Sequence, residues 1–185
     1  MSQFPALDTE RLMLREYRAS DAQAVFDIFS QDIVTRYYIL ETMQSLGQAK
    51  ALVATRAGLF GKEVGIRWAI CLRKNEDRAI GSCGCYRLNK VFRSIEIGYE
   101  LHPAFWRQGI MTEALTAMLD FCFSDGFFFR LNRVEALTEV ENGASARLLV
   151  KLGFVEEGIR REYGYWKDHH HDVRAFSLLR RDLEG

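Results

Sequence analysis

The residues with the clearest chemical potential lie between Glu96 and Glu113, where a predicted strand passes through a short loop into a predicted helix. The first turn of a helix leaves backbone N–H groups without partners, and the helix dipole adds about half a positive charge there. Gly109 has no side chain, so a ligand can approach that backbone closely, and Arg107 and Gln108 add donors. These features are compatible with a diphosphate site, whereas taken alone they fit better a loop that merely starts a packed helix.

Two carboxylates precede this loop on the same predicted strand. Glu96 and Glu100 share one face, opposite the face of Ile95 and Ile97. If the isoleucine face packs against helices, the carboxylates face a groove, where one of them can take a proton from an acceptor directly or through water. An ordinary solvated strand face gives the same pattern, so both interpretations stay open.

A third candidate group lies at the start of a later predicted helix. Asn142 is a suitable N-cap residue, and Ser145 lies one turn inside that helix. Serine near a helix start commonly makes local backbone hydrogen bonds, so these two residues alone do not indicate chemistry.

Together, these segments resemble the acetyl-coenzyme A (acetyl-CoA) motif of the GNAT N-acetyltransferases, and more narrowly the Rim-type branch, which acetylates ribosomal-protein N-termini. The similarity extends in order over nearly the whole chain, which makes it far more specific than any single motif. The general superfamily has Arg or Gln where Trp106 stands, although the Rim-type branch tolerates Trp, and it prefers Gly or Ala where Met111 stands. The matching segments are Thr9-Glu10-Arg11-Leu12, Leu14-Arg15, Ile97-Gly98-Tyr99, Leu101-His102-Pro103, Trp106, Gly109, Thr112-Glu113-Ala114, Asn142-Gly-Ala-Ser145, Leu152-Gly153-Phe154, Glu157-Gly158, Arg161-Glu162-Tyr163 and Asp172-Val173.

The resemblance implies an enzyme that passes the acetyl group of acetyl-CoA directly to a primary amine, with no covalent enzyme intermediate and no metal. It implies that Ser145 protonates the departing thiolate. Tyr163 is an alternative acid by residue type, although a half-buried aromatic on a strand is the preferred interpretation of it. Glu100, which lies nearer the expected reaction centre, is the preferred base, and Glu96 is the second choice. The residues expected to bind the cofactor are Leu101, Arg107, Gln108, Gly109, Ile110, Met111, Thr112 and Asn142.

The acceptor preferred by resemblance is a protein N-terminal α-amine. A small amine, such as an amino acid or a polyamine, is the alternative, because an acidic groove containing Glu41, Glu96 and Glu100 suits either cation. A non-catalytic acyl-CoA-binding module is the third possibility. The region expected to shape the acceptor pocket, residues 33–61, carries no motif that identifies the acceptor.

The elements that position these residues follow from the apolar periodicity, which predicts an α+β fold with a central mixed, mostly antiparallel sheet flanked by helices. The resemblance implies the GNAT-like acyl-CoA N-acyltransferase fold, with residues 1–185 as a single domain. One helix is expected after Ser20 as its N-cap, with others at 45–60, 109–123 and 143–152. The predicted strands cover residues 11–17, 66–72, 79–88, 94–101, 133–139, 154–160 and 172–179.

The overall composition narrows the class of protein. The 185 residues carry 25 Lys and Arg against 25 Asp and Glu, so net charge gives no support to nucleic-acid binding. A hydrophobic content of 48% argues against disorder, and no run of residues suits a membrane span. Without a secretory signal at the N-terminus, a cytoplasmic location is expected, with the four cysteines as reduced core thiols.

Two residue clusters suggest other roles. The run from His169 to His171 predicts a hairpin turn with exposed histidines, because adjacent strand side chains alternate faces and do not converge on one metal ion. The run from Phe127 to Phe129 predicts core packing or an oligomer contact, and a homodimer is therefore an open expectation.

Overall fold

The computed structural model describes residues 3–183, so Met1, Ser2, Glu184 and Gly185 of the predicted 1–185 domain lie outside the described residues. Eight strands form one sheet in the order β1-β2-β3-β4-β5-β6-β8-β7. The strands are β1 (Leu7–Asp8), β2 (Leu12–Arg15), β3 (Gly65–Leu72), β4 (Asn75–Asn89), β5 (Ser94–Leu101), β6 (Arg133–Glu139), β7 (Val155–Trp166) and β8 (His169–Leu179). The helices are α1 (Ala22–Phe29), α2 (Asp32–Thr35), α3 (Leu46–Gly61), α4 (Ile110–Phe123) and α5 (Gly143–Lys151).

The sheet is mixed and mostly antiparallel, which confirms the predicted fold class. Strands β1 to β5 pair as antiparallel neighbours, and so do β6, β8 and β7. Among the strands described over residues 3–183, only β5 and β6 pair in parallel, and α4 provides the crossover between them. The two halves of the sheet therefore meet at a single parallel pair.

This parallel pair is incomplete. Its register runs from Ser94 opposite Arg133 to Ile97 opposite Ala136, whereas both strands continue further. We call the space between the remaining segments, residues 98–101 and 137–139, the strand cleft. The His102 amide donates to the Ile80 carbonyl on β4 (2.8 Å). Since successive residues of a strand direct their amides to opposite sides, Leu101 directs its N–H and C=O into the strand cleft.

Each face of the sheet has its own layer of helices. On one face, which we call the α4 face, Ile95 and Ile97 pack with α4 and α5 in the larger core around the fully buried Trp68. On the other, the α3 face, α1 and α3 cover Ala69 and Cys71. The four cysteines are free and buried, as predicted. Among the helices described over residues 3–183, none is both long and apolar enough to cross a membrane.

The observed boundaries depart from the predicted ones at several points. Ser20 is not the N-cap of α1, because it lies inside a short 3₁₀ turn and Asp21 precedes the helix. Asp21 is the N-cap residue of α1 by position, but its carboxylate accepts from the Arg18 amide (2.7 Å) and so caps the 3₁₀ turn instead. The short elements β1 and α2 escaped prediction because neither is long enough to show a period.

The predicted histidine turn is wrong in one important respect. The turn between β7 and β8 consists of Lys167 and Asp168, both with positive φ (50° and 62°), so all three histidines lie on β8. His169 and His170 are exposed as expected, whereas His171 is only 7% exposed. Alternation along β8 turns His171 towards the α3 face, together with Val173 and Ala175.

Candidate active site

The loop before α4 has the backbone geometry of an anion site. Arg107 and Gly109 both have positive φ (58° and 75°), and Gly109 is the N-cap residue. Left-handed residues next to a helix start gather successive N–H groups into a concave arrangement that binds anions. Ile110, Met111 and Thr112 form the first turn of α4, so their amides have no intrahelical partners. The loop therefore offers backbone donors to a negatively charged group.

Contacts from neighbouring residues fix the shape of this loop. The Gln108 side-chain amide donates to the Ala104 carbonyl (2.8 Å), and the Arg11 guanidinium donates to the Gln108 carbonyl (2.9 Å). Arg11 also pairs with Glu113 in the first turn of α4 (2.6 Å). The exposed side chain of Arg107 is thus better placed than that of Gln108 to meet a ligand.

The two departures from the family pattern have structural explanations. Met111 is buried in the core on the α4 face, so its side chain does not occupy the loop. The Trp106 indole N–H donates to the Leu101 carbonyl (2.7 Å), which joins the loop to the end of β5. Leu101 directs both its C=O and its N–H into the strand cleft. The contact with Trp106 occupies the C=O, so the N–H stays available to a ligand.

A pair of hydroxyls connects the two sides of the strand cleft on the α4 face. Asn142 accepts from the Ser145 amide (3.1 Å), which confirms the predicted cap at the start of α5. The Ser145 hydroxyl lies 2.6 Å from the Tyr99 hydroxyl on β5. Burial raises the pKa of Tyr99 to about 12, so its phenol keeps its proton at neutral pH and can donate to Ser145.

Glu100 faces away from that pair and is enclosed by cations. It is 6% exposed, and Arg56 (2.7 Å), Arg67 and the Ser82 hydroxyl all donate to its carboxylate. Burial alone would raise the pKa of Glu100, but the two guanidinium groups and the Ser82 hydroxyl outweigh it and hold that pKa below its ordinary value. The carboxylate therefore keeps its charge in a structural ion-pair network.

Glu96 occupies the same face two positions earlier and is also enclosed. Its oxygens accept from the Tyr86 hydroxyl (2.8 Å) and from Arg87 (2.8 Å). Arg87 also donates to the Tyr163 hydroxyl (2.8 Å), so Tyr163 lies with Glu96 and apart from Ser145. Glu96 and Glu100 share one face of β5, as predicted. Because Glu96 is 8% exposed and Glu100 is 6% exposed, this is not a solvated strand face.

The structure brings a third glutamate to the strand cleft, one that sequence reasoning missed. Glu139 ends β6, and its carboxylate pairs with the His171 ring (2.8 Å) and accepts from the Trp166 indole (3.2 Å). Trp166 and His171 stack at 4.0 Å between ring centroids. Recognising this group from the sequence would have required the correct turn at Lys167 and the register between β6 and β8.

A cavity of about 430 Å³ is lined in part by the region of residues 33–61, which was expected to shape the acceptor pocket. Glu41 and Asp32 contribute acidic groups to its lining. Lys167, at the turn between β7 and β8, closes one end by donating to the Thr35 carbonyl of α2 (2.6 Å). The predicted acidic lining is thus present for Glu41, whereas Glu96 and Glu100 are occupied elsewhere.

Comparison with known proteins identifies relatives of the whole chain. The chain is 40% identical over 177 residues to the uncharacterized N-acetyltransferase YoaA of Bacillus subtilis (strain 168), covering 96% of this chain and 98% of the relative. It is 34% identical over 179 residues to the uncharacterized N-acetyltransferase p20 of Bacillus licheniformis, covering 97% and 98%. The Escherichia coli (strain K12) ribosomal-protein-serine acetyltransferase matches at 28% identity over 56% of each chain.

Solved structures support the same fold. A probable GNAT-family acetyltransferase from Chromobacterium violaceum superposes with a TM-score of 0.85 at 22% identity, covering 100% of this chain and 90% of that one. RimL, a ribosomal L7/L12 alpha-N-protein acetyltransferase, gives 0.82 at 19% identity and covers 96% of both chains. Spermidine N-acetyltransferase from Vibrio cholerae, solved with CoA and spermine, gives 0.79 at 20% identity over 96% of this chain and 100% of that one.

The family itself is settled by the sequence. The model of the acetyltransferase (GNAT) domain matches residues 11–155, which include the loop before α4, both strands of the cleft and the start of α5. The match agrees with the resemblance found in the motifs and with the observed sheet. The chain therefore belongs to the GNAT family of acetyltransferases.

Proposed function

We propose that this N-acetyltransferase moves the acetyl group of acetyl-CoA directly to a protein N-terminal α-amine, acting as one cytoplasmic domain over residues 1–185. The observation that carries the proposal is the alignment of an anion-binding loop, an open strand cleft and the Ser145 hydroxyl along the α4 face. The partial match to a ribosomal-protein-serine acetyltransferase supports the choice of acceptor.

In this proposal the diphosphate of CoA binds to the loop before α4. The amides of Gly109 and residues 110–112 donate to it, and Arg107 and Gln108 flank it. The pantetheine arm lies in the strand cleft, where it takes the place of a hydrogen-bonded strand beside residues 98–101. Asn142 contributes by fixing the start of α5 beside the cleft.

The reaction then proceeds by direct attack. The free Leu101 N–H polarises the thioester carbonyl and stabilises the oxyanion as the C–N bond forms. When the C–S bond breaks, the Ser145 hydroxyl gives its proton to the thiolate and takes one from Tyr99 through their hydrogen bond. Solvent then returns a proton to Tyr99. The products are the acetylated amine, free CoA and one proton released to solvent.

An α-amine suits this site because little base strength is available. Its pKa of about 7.7–8.0, against about 10.4 for a lysine amine, makes deprotonation easier by about 3.5 kcal/mol. Glu100 was the expected base, but its contacts with Arg56 and Arg67 argue against proton abstraction. The same holds for Glu96, since Tyr86 and Arg87 occupy its oxygens. Both glutamates act structurally in this proposal.

A small amine is the second candidate acceptor. Asp32 and Glu41 line the cavity beside α2, and each carboxylate can pair with one ammonium group of a polyamine. Arg36 and Lys167 in the same lining offset their charge, so the pairing is local. The structural likeness to a spermidine N-acetyltransferase favours the same alternative. Both candidates use the same CoA site and differ only in what the acceptor side of the cleft admits.

A thiol-release assay separates these possibilities. The protein is incubated with acetyl-CoA and a panel of short peptides with free N-termini, amino acids and polyamines, with N-formylated peptides as matched controls. Thiol release with free peptides alone supports the proposal. Thiol release with polyamines or amino acids alone means that the acceptor is a small amine and not a protein N-terminus. CoA binding without thiol release in the presence of any amine indicates a non-catalytic module and contradicts the proposal.

Analytical sedimentation of the same sample tests the expected homodimer.

A further inference from the structure

Glu139 occupies a special position relative to the strand cleft. The paired segment of β5 and β6 places Glu96 opposite Glu135 and Ile97 opposite Ala136. Continuing this register past the end of the pairing puts Glu139 opposite Glu100, across the cleft and on the same α3 face. The Tyr99–Ser145 pair lies on the other face. Glu139 therefore approaches the expected reaction centre from the side opposite the proton donor.

The contacts of Glu139 hold its carboxylate in one orientation. His171 directs Nδ1 to Glu139 Oε1 (2.8 Å) and Nε2 to the Trp166 carbonyl (3.0 Å). These two contacts fix the orientation of the His171 ring, and the ring in turn fixes the position of Oε1. The Trp166 indole N–H adds a second donor to the same Oε1 (3.2 Å).

The other oxygen of this carboxylate is available. Within residues 3–183, Oε2 of Glu139 forms no hydrogen bond, and it is not among the buried polar atoms that lack a partner. The Glu139 side chain is 16% exposed, against 3% for Glu100. Nearby Glu135 pairs with Arg133 (2.7 Å). Glu135 lies within the paired segment of β6, outside the cleft. Glu139 thus differs from Glu96 and Glu100 in offering an oriented, solvent-reachable oxygen at the cleft.

We infer that Glu139 binds the ammonium group of the acceptor through Oε2 and takes its proton, while His171 and Trp166 position the carboxylate. The inference rests on the proposed function and identifies its acceptor site. One N–H bond of the ammonium breaks and its proton moves to Oε2, which leaves the nitrogen lone pair free to attack the thioester carbon. The proton later passes from Glu139 to solvent. The nitrogen loses its second proton to solvent as the C–S bond breaks, and this loss balances the proton that solvent supplies for the thiol.

Steady-state kinetics with the best acceptor of the amine panel test this inference. Glu139→Gln keeps the shape and an acceptor for Trp166 but removes the charge, so kcat/KM for the acceptor should fall about 10²–10⁴-fold. The affinity for CoA should stay within about twofold, because the loop before α4 is untouched. The matched control is Glu141→Gln, which removes the same charge two residues away from an exposed position.

The positioning role of His171 gives a second readout. His171→Gln should lower kcat/KM for the acceptor and leave CoA affinity unchanged, and it should add little to the loss in Glu139→Gln, because both changes affect one unit. If Glu139→Gln does not fold, Glu139→Asp replaces it. That variant keeps the charge but withdraws the carboxylate by one methylene, so about a tenfold loss is expected, less than the loss of the carboxylate itself.

The outcomes distinguish a failure of this inference from a failure of the proposed function on which it rests. An active wild-type enzyme whose Glu139 variants acetylate the acceptor as well as the Glu141 control would overturn the acceptor site alone. Equal losses in the Glu139 and Glu141 variants would also overturn it, since they would indicate a general effect of charge. A wild-type protein that binds CoA but acetylates no amine would overturn both.

Discussion

The two sides of the strand cleft are built on different physical principles. On the α4 face, the groups proposed to serve the cofactor are backbone amides, a capped helix start and two neutral hydroxyls. On the α3 face, three glutamates stand near the cleft, and each has a different set of partners. Glu100 lies between two guanidinium groups, whereas Glu139 is held by an imidazole and an indole.

This difference shows that a carboxylate's role depends on its partners more than on its place in a motif. Glu100 ends the motif strand, yet Arg56 and Arg67 lower its pKa and fill its hydrogen-bonding capacity. Glu139 belongs to no motif, yet it keeps one oxygen open at the cleft. On the α4 face, the donors are backbone N–H groups. Their ability to bind an anion does not depend on side chains from distant parts of the sequence.

The largest effect is expected from removing the charge of Glu100. In Glu100→Gln, Arg56 and Arg67 stay buried without a carboxylate, so the free energy of unfolding should drop by about 3–5 kcal/mol. Urea denaturation measures this loss, with Glu10→Gln at an exposed position as control. Because the folded pKa of Glu100 is lowered, the stabilisation is present above the unfolded value of about 4.3 and is lost as pH falls through the folded pKa. An unchanged free energy of unfolding would mean that the ion pairs of Glu100 with Arg56 and Arg67 do not stabilise the fold.

A comparable loss, in CoA affinity instead of stability, is expected on the α4 face. Gly109→Glu sets a carboxylate against the diphosphate and should weaken CoA binding about 10³-fold. Gly109→Ala is the matched control, because it carries only the backbone strain at a φ of 75° and should weaken binding about tenfold. Titration calorimetry measures both values. Equal affinities in the wild type and the glutamate variant would place the diphosphate elsewhere.

A smaller effect is expected at the hydroxyl pair. Ser145→Ala should lower kcat about 10²-fold without changing CoA affinity, since the proton donor is needed only as the thiolate leaves. Tyr99→Phe should lower kcat about tenfold, and the double variant should be no slower than Ser145→Ala, because Tyr99 acts through Ser145. Tyr165→Phe is an exposed control. If the losses in kcat were additive, the two hydroxyls would act independently and Tyr99 would not act through Ser145.

The sequence predicted those features that depend on neighbours along the chain. The start of α4 after Gly109 and the Asn142 cap of α5 follow from local backbone rules, and both are observed. The strands at 94–101 and 133–139 also have the predicted bounds, because their alternation is regular.

The partners of the glutamates could not be predicted in the same way. Arg56 lies 44 residues from Glu100 in sequence, and the two meet only after α3 packs on the sheet. The pairing of Glu139 with His171 likewise depends on the two-residue turn at Lys167 and Asp168, which sets the register of β8. A shift of one residue there would move His171 to the other face.

The most direct test of the account is a crystal structure of the protein with bound CoA. We expect the diphosphate oxygens within hydrogen-bonding distance of the amides at residues 109–112. We also expect the sulfur in the strand cleft, between the Leu101 N–H and the Ser145 hydroxyl. CoA bound at another surface, or a loop filled by the protein's own side chains while CoA is present, would contradict the account.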